Sequence, residues 1–135
     1  MKTELMYLVW VTVLTALIWV PYMLDRIIVW GLLDVVGYPE HPKAQSPWAQ
    51  RMMKAHGNAV ENLVVFAALV LVANAAGVSN EATIMACAAY FWARVVHLLA
   101  HTFKVPWVRT LAFVVGFVAQ MTLAWQILFV ARLPA

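Results

Sequence analysis

The chain is 135 residues long, room for one domain, and 65% of it is hydrophobic while only 11% is charged, with a mean hydropathy of +0.83. A soluble domain is nearer half apolar and a quarter charged, so this is the composition of an integral membrane protein. The net charge of +3 includes no Lys/Arg block, which argues against a nucleic-acid partner, and the one cysteine, Cys87, excludes an intrachain disulfide and a cysteine metal cluster.

A helix needs about 20 apolar residues to cross a bilayer, and four segments qualify. The first predicted helix covers about residues 5–33, with a kink at Pro21, whose ring removes a backbone donor. The Met1-Lys2 start resembles a signal peptide, but no small-residue cleavage site follows, so the segment reads as a retained helix. Residues 33–47 form a predicted loop, broken by Gly37, Pro39, Pro42 and Pro47. The second helix is expected over 48–76, with Gly77 and Asn80 marking a tight turn into a third over 81–103. Lys104 and Val105 form the next turn, and Pro106 opens a fourth helix over 106–131, a favoured early position for proline. The expected fold is all-α: residues 1–135 as one up-down, four-helix membrane bundle.

Arg26, Lys43, Arg51, Lys54, Lys104 and Arg109 flank the first and third connections, while the opposite side holds only Lys2 and Arg132. The positive-inside rule therefore puts both connections in the cytoplasm and both termini outside it.

The apolar pattern breaks in the run RMMKAHGNAVEN at the start of the second helix. Arg51, Lys54, Asn58, Glu61 and Asn62 fall within roughly a 100° sector of that helix, and the face continues apolar through Val65 and Leu69. On the third helix, Arg94, His97 and His101 share one face at i, i+3 and i+7. At about 1.5 Å rise per residue, Glu61 and Arg94 reach similar depth, so a Glu61–Arg94 pair is expected. A charge in hydrocarbon costs at least about 2.5–3.5 kcal/mol. One interhelical pair would suffice as structural glue; convergence of five or six polar groups at one end points instead to a pocket for an anionic solute. A transporter reading fails because the stripe stops halfway across. His97 and His101 are spaced to chelate, but HLLAH lacks a zincin's glutamate and no further ligand set is visible, so no metal is expected. Asp25 and Arg26 form an expected local pair, His56 is placed at headgroup level, and Gln120 and Gln126 are expected to hydrogen-bond between helices.

The runs KAHGNAVEN, RVVHLLAH and PWVRT resemble the MAPEG superfamily, the membrane-associated proteins in eicosanoid and glutathione metabolism. The resemblance covers the second to fourth helices and is nearest to the uncharacterised bacterial branch, with microsomal glutathione transferase as the nearest activity. It implies four transmembrane helices per subunit and a homotrimer in a bacterial inner membrane. It also implies intersubunit sites that open to the cytosol and bind glutathione. By that resemblance Asn58 and Glu61 hold the tripeptide's polar backbone. Lys54, Arg94 and His97 line the same pocket, to which the polar stripes add Arg51 and His101. Arg109 faces the thiol, with Thr110 where some relatives carry serine. A lipophilic substrate would enter from the membrane. The chain departs from the eicosanoid pattern at Lys54, Gly57, His101 and Phe113, where relatives carry two arginines and two tyrosines. Two readings follow: a glutathione-dependent transferase or peroxidase, and a non-catalytic lipid-binding or scaffold member.

Overall fold

The computed structural model describes residues 1–130, all helix and connection with no strand among them. The helices are α1 (Thr3–Leu17), α2 (Trp19–Trp30), α3 (Leu32–Val36), α4 (Pro47–Ala75), α5 (Glu81–Thr102) and α6 (Pro106–Trp125), followed by a π-helical turn, Gln126–Val130. Four spans are long and apolar enough to cross a membrane: α1 with α2, α4, α5, and α6 with the π-helical turn. The predicted end of the fourth helix near Ala131, and Arg132, lie outside the described residues.

The first span differs from expectation at both of its breaks. It is interrupted at Ile18, where the amide bonds Thr15 O at 3.4 Å rather than a residue four back. Proline at 21 explains the position: it has no N–H for the Leu17 carbonyl, and its ring crowds that same group. The span then ends at Trp30 rather than Leu33, because Gly31 adopts a left-handed φ of 83°. The short α3 follows, inside the segment expected to be loop.

The other turns have local causes. Gly77, at φ 73°, closes α4, with Val78 N donating to Ala73 O at 2.8 Å. Asn80 caps α5 reciprocally with Thr83: its side chain accepts from Thr83 N at 3.0 Å, and Thr83 Oγ1 accepts from Asn80 N at 2.9 Å. Asn80 Nδ2 also donates to Gln126 Oε1 at 2.9 Å, tying α5 to the end of the fourth span.

In the bundle α5 packs most extensively on α6, and α1 packs on both α4 and α5. The core is a layer of Val11, Phe66, Val70, Cys87, Tyr90, Phe91, Ala119 and Leu123. Phe66 and Tyr90 stack at 3.8 Å between centroids and 10° between planes. Gln120 Nε2 donates to Asn62 O at 3.1 Å, joining α6 to α4. Many of the other large apolar side chains, Trp10, Val64, Trp92 and Phe117 among them, are exposed, as bilayer solvent allows.

The residues before α4 are anchored by a buried carboxylate. Asp25 accepts from Ser46 N at 3.1 Å, from Ser46 Oγ, and from Gln45 Nε2 at 3.3 Å. Gln45 Nε2 also donates to Tyr22 O at 2.8 Å, and Gln45 Oε1 accepts from Arg26 Nε at 2.9 Å. The expected direct Asp25–Arg26 pair is therefore replaced by a bridge through the Gln45 side chain, with Ser46 as a second partner of Asp25. Adjacent residues on a helix point about 100° apart, and the loop supplies a closer partner to each. Arg26 is held further by the Trp30 ring, 5.1 Å from its guanidinium carbon.

Candidate functional site

The polar groups collect where α4, α5, α6 and the α5–α6 turn meet. The outer part is a pocket of about 410 Å³ lined by Arg51 and Lys54 from α4, His101 from α5, Lys104 from the turn and Arg109 from α6. Among the described residues, four permanent cations and no carboxylate line it. Three of them are positioned by identifiable local structure. Arg51 Nε donates to Thr102 O at 2.8 Å, so this arginine caps the C-terminus of α5 from another helix. Lys104 holds a left-handed φ of 62°, the position after a helix where glycine is usual, and Val105 N returns to Ala100 O at 2.8 Å. Pro106 then starts α6 and sets Arg109 one turn along it.

Deeper in the bundle lies a second group. Arg94 is buried, and its Nη2 donates to Asn58 Oδ1 at 2.9 Å and lies 3.4 Å from His97 Nδ1. Because a guanidinium only donates, that contact requires His97 Nδ1 to be the acceptor. Arg94 Nε has no partner. Asn62 Nδ2 donates to Asn58 O at 2.9 Å, holding the amide from the next turn. His97 and His101 stand edge to face with centroids 5.6 Å apart, which connects the inner group to the outer pocket. Phe113 of α6 lies 6.4 Å from the His97 ring.

The structure therefore brings together Arg51, Lys54, His101 and Arg109 at the mouth, and Asn58, Arg94 and His97 behind them. Two expected members are elsewhere. Glu61 is on the exposed side of α4, and Arg94 meets Asn58 in its place. Three residues further along a helix rotates a side chain by about −60°, enough to carry Glu61 past α5 once Asn58 faces it. Thr110 is exposed, and its hydroxyl donates to Pro106 O at 3.1 Å, outside the pocket. Arg26 is engaged with Gln45 and Trp30 and does not line the pocket. His56 pairs with the Tyr22 hydroxyl at 2.8 Å. Lys104 was legible only as a turn cation. Its entry into the pocket depends on a backbone angle that no motif announces. Among the described residues no group of three or more His, Cys, Asp or Glu is arranged to hold a metal.

The MAPEG family model matches residues 7–129, from within α1 to the last described turn. The chain belongs to the MAPEG family. As a MAPEG protein with four membrane-competent spans, it is a multi-pass integral membrane protein of a family concerned with glutathione and eicosanoid metabolism. No curated protein matches the sequence. The polar cluster of this MAPEG chain draws on the runs that carry the resemblance, KAHGNAVEN, RVVHLLAH and PWVRT, and adds Arg51, one turn before the first, and Lys104 from the turn between the last two.

Proposed function

We propose that the cation-lined pocket binds glutathione and that the protein is a membrane-bound glutathione-dependent transferase or peroxidase acting on lipophilic electrophiles or hydroperoxides. The observation that carries this reading is the outer pocket: four cations and no carboxylate around about 410 Å³. That charge and size suit a small peptide with two carboxylates, within the roughly 300–1,000 Å³ usual for ligand sites. Arg51, Lys54 and Lys104 would receive carboxylates, with Arg51 already oriented by Thr102. The buried Arg94 Nε, without a partner among the described residues, is a further donor. Bound glutathione supplies a thiol as nucleophile. Arg109 would stabilise the sulfur's negative charge, as a nearby guanidinium favours a thiolate.

Glu61 takes a different role in this reading. Exposed on α4, it is available to a neighbouring subunit, and a homotrimer would bring it to a shared site. The basic end faces the cytoplasm of a bacterial inner membrane, with both termini outside.

Calorimetry in nanodiscs tests the proposal. Saturable glutathione binding is expected, weakened at least tenfold by Lys54→Ala, while Arg109→Ala retains binding but loses conjugation of a generic electrophile. No heat at millimolar glutathione would overturn it. One observation favours the non-catalytic lipid-binding reading: the Thr110 hydroxyl is turned onto Pro106 and Phe113 has none, so no hydroxyl stands beside Arg109. Under that reading glutathione produces no thiolate absorbance and lipid co-purifies.

A further inference from the structure

The face between α5 and α6 is concave along its whole length. Three consecutive hollows run down it, of about 470, 390 and 300 Å³. The first two share Ala89 and Val115, and the second and third share Val96 and Val108. They form one trough, with an alanine-rich floor on α5 and rims at Trp92, Leu111 and Phe103. Its lower end opens into the cationic mouth, because Ala100 and Val105 line both the last hollow and the pocket. The whole trough, from Ala82 to Phe103, runs roughly 32 Å at about 1.5 Å per residue, a full hydrocarbon core about 30 Å thick, and its half next to the mouth, from Trp92 to Phe103, runs roughly 16 Å. That is the reach of one acyl chain in one leaflet.

We propose that an anionic phospholipid of the leaflet at the basic end docks here, one acyl chain in the α5–α6 trough and its phosphate among Lys54, Lys104 and Arg109. Charge decides the occupant. The mouth offers cations without a carboxylate, so a zwitterionic lipid brings an ammonium group that finds no partner among the lining residues, while an anionic one brings none. Apolar shape alone would take any lipid; the joined trough and mouth select by headgroup. The backbone supports this, since Lys104 holds a left-handed φ of 62° at a position where glycine is the easier residue. The site does not depend on glutathione being the pocket's other ligand, though the two would compete for the mouth.

The test uses the full chain in nanodiscs doped with phosphatidylglycerol carrying a photoactivatable group on one acyl chain, or with the matching phosphatidylcholine. After irradiation, adducts are mapped by mass spectrometry. Phosphatidylglycerol adducts should concentrate on residues 92–111, at least fivefold above the phosphatidylcholine probe. Lys54→Glu with Lys104→Glu should bring the two probes to parity. Val108→Trp, which fills the trough from a lipid-facing position, should remove the adducts, and Leu17→Trp on α1 should not. Equal labelling by both probes, adducts spread evenly over the outer surface, or no change with Val108→Trp overturns the proposal. So does a subunit crosslink across the trough in place of lipid, which would make it an interface between copies.

Discussion

Replacing Asp25 with alanine tests whether a buried carboxylate on the first span positions the second. Asp25 accepts from the Ser46 amide, the Ser46 hydroxyl and the Gln45 amide immediately before α4. A hydrogen bond to a charged group contributes about 1.5–3 kcal/mol. Ser46 is only half-buried, so its hydroxyl can turn to water; the Gln45 side chain keeps Tyr22 O and Arg26. The Ser46 N–H bears most of the loss, and a net cost of about 3 kcal/mol follows for opening the first turns of α4. At about 1.4 kcal/mol per tenfold, that is roughly 100-fold in the local opening equilibrium. Hydrogen exchange in nanodiscs reads it directly. The Gln50 amide, bonded to Ser46 O at 3.1 Å, should exchange about 100-fold faster in Asp25→Ala, with amides around Tyr90 unchanged. Asp25→Asn keeps one acceptor oxygen and should fall near tenfold. Arg51 and Lys54 stand on the same two turns, so anion affinity should weaken with them. Gln50 protection within threefold of the parent in Asp25→Ala would refute the reasoning.

Lys104→Gly relieves a left-handed side chain and should stabilise the α5–α6 turn by about 0.4–1 kcal/mol while weakening anion binding; thermal unfolding and calorimetry on one preparation separate the two effects, and a lower melting temperature would count against it. Tyr90→Phe removes a buried hydroxyl that has no partner among the described residues and keeps the stack on Phe66, so it should be neutral or stabilise by about 1 kcal/mol; a loss of stability would count against an unpaired hydroxyl. Asn58→Ala strips a buried guanidinium of a polar partner and should destabilise a detergent-solubilised monomer by about 2–3 kcal/mol. Glu61→Gln should leave that monomer unchanged, and equal effects of the two would restore the Glu61–Arg94 pair.

What could be read from the sequence, and what could not, divides along the distance over which the cause acts. The four spans were legible because length and hydropathy are local, and so were the Gly77–Asn80 turn and the proline at the start of α6. The polar faces of α4 and α5 were legible too, since 3.6-residue periodicity places Arg94, His97 and His101 together without tertiary information. Partner choice was not. Asn58 and Glu61 lie in the same sector of α4, and only the packed angle between α4 and α5 decides which one meets Arg94. The Asp25 anchor was hidden for a second reason: its partners sit 20 and 21 residues away in a proline-rich loop with no period to follow. Lys104 was hidden for a third, that a positive φ on a lysine leaves no mark in composition. The Asp25 anchor and Lys104 share one end of the bundle with Arg51. There a buried carboxylate fixes the start of α4, Arg51 caps α5, and a left-handed lysine turns into α6. The three contacts hold the three helices that carry the pocket's cations. The cation-lined pocket is thus built from the connections as much as from the helical faces, which is why the faces alone showed which residues gather there better than how they pair.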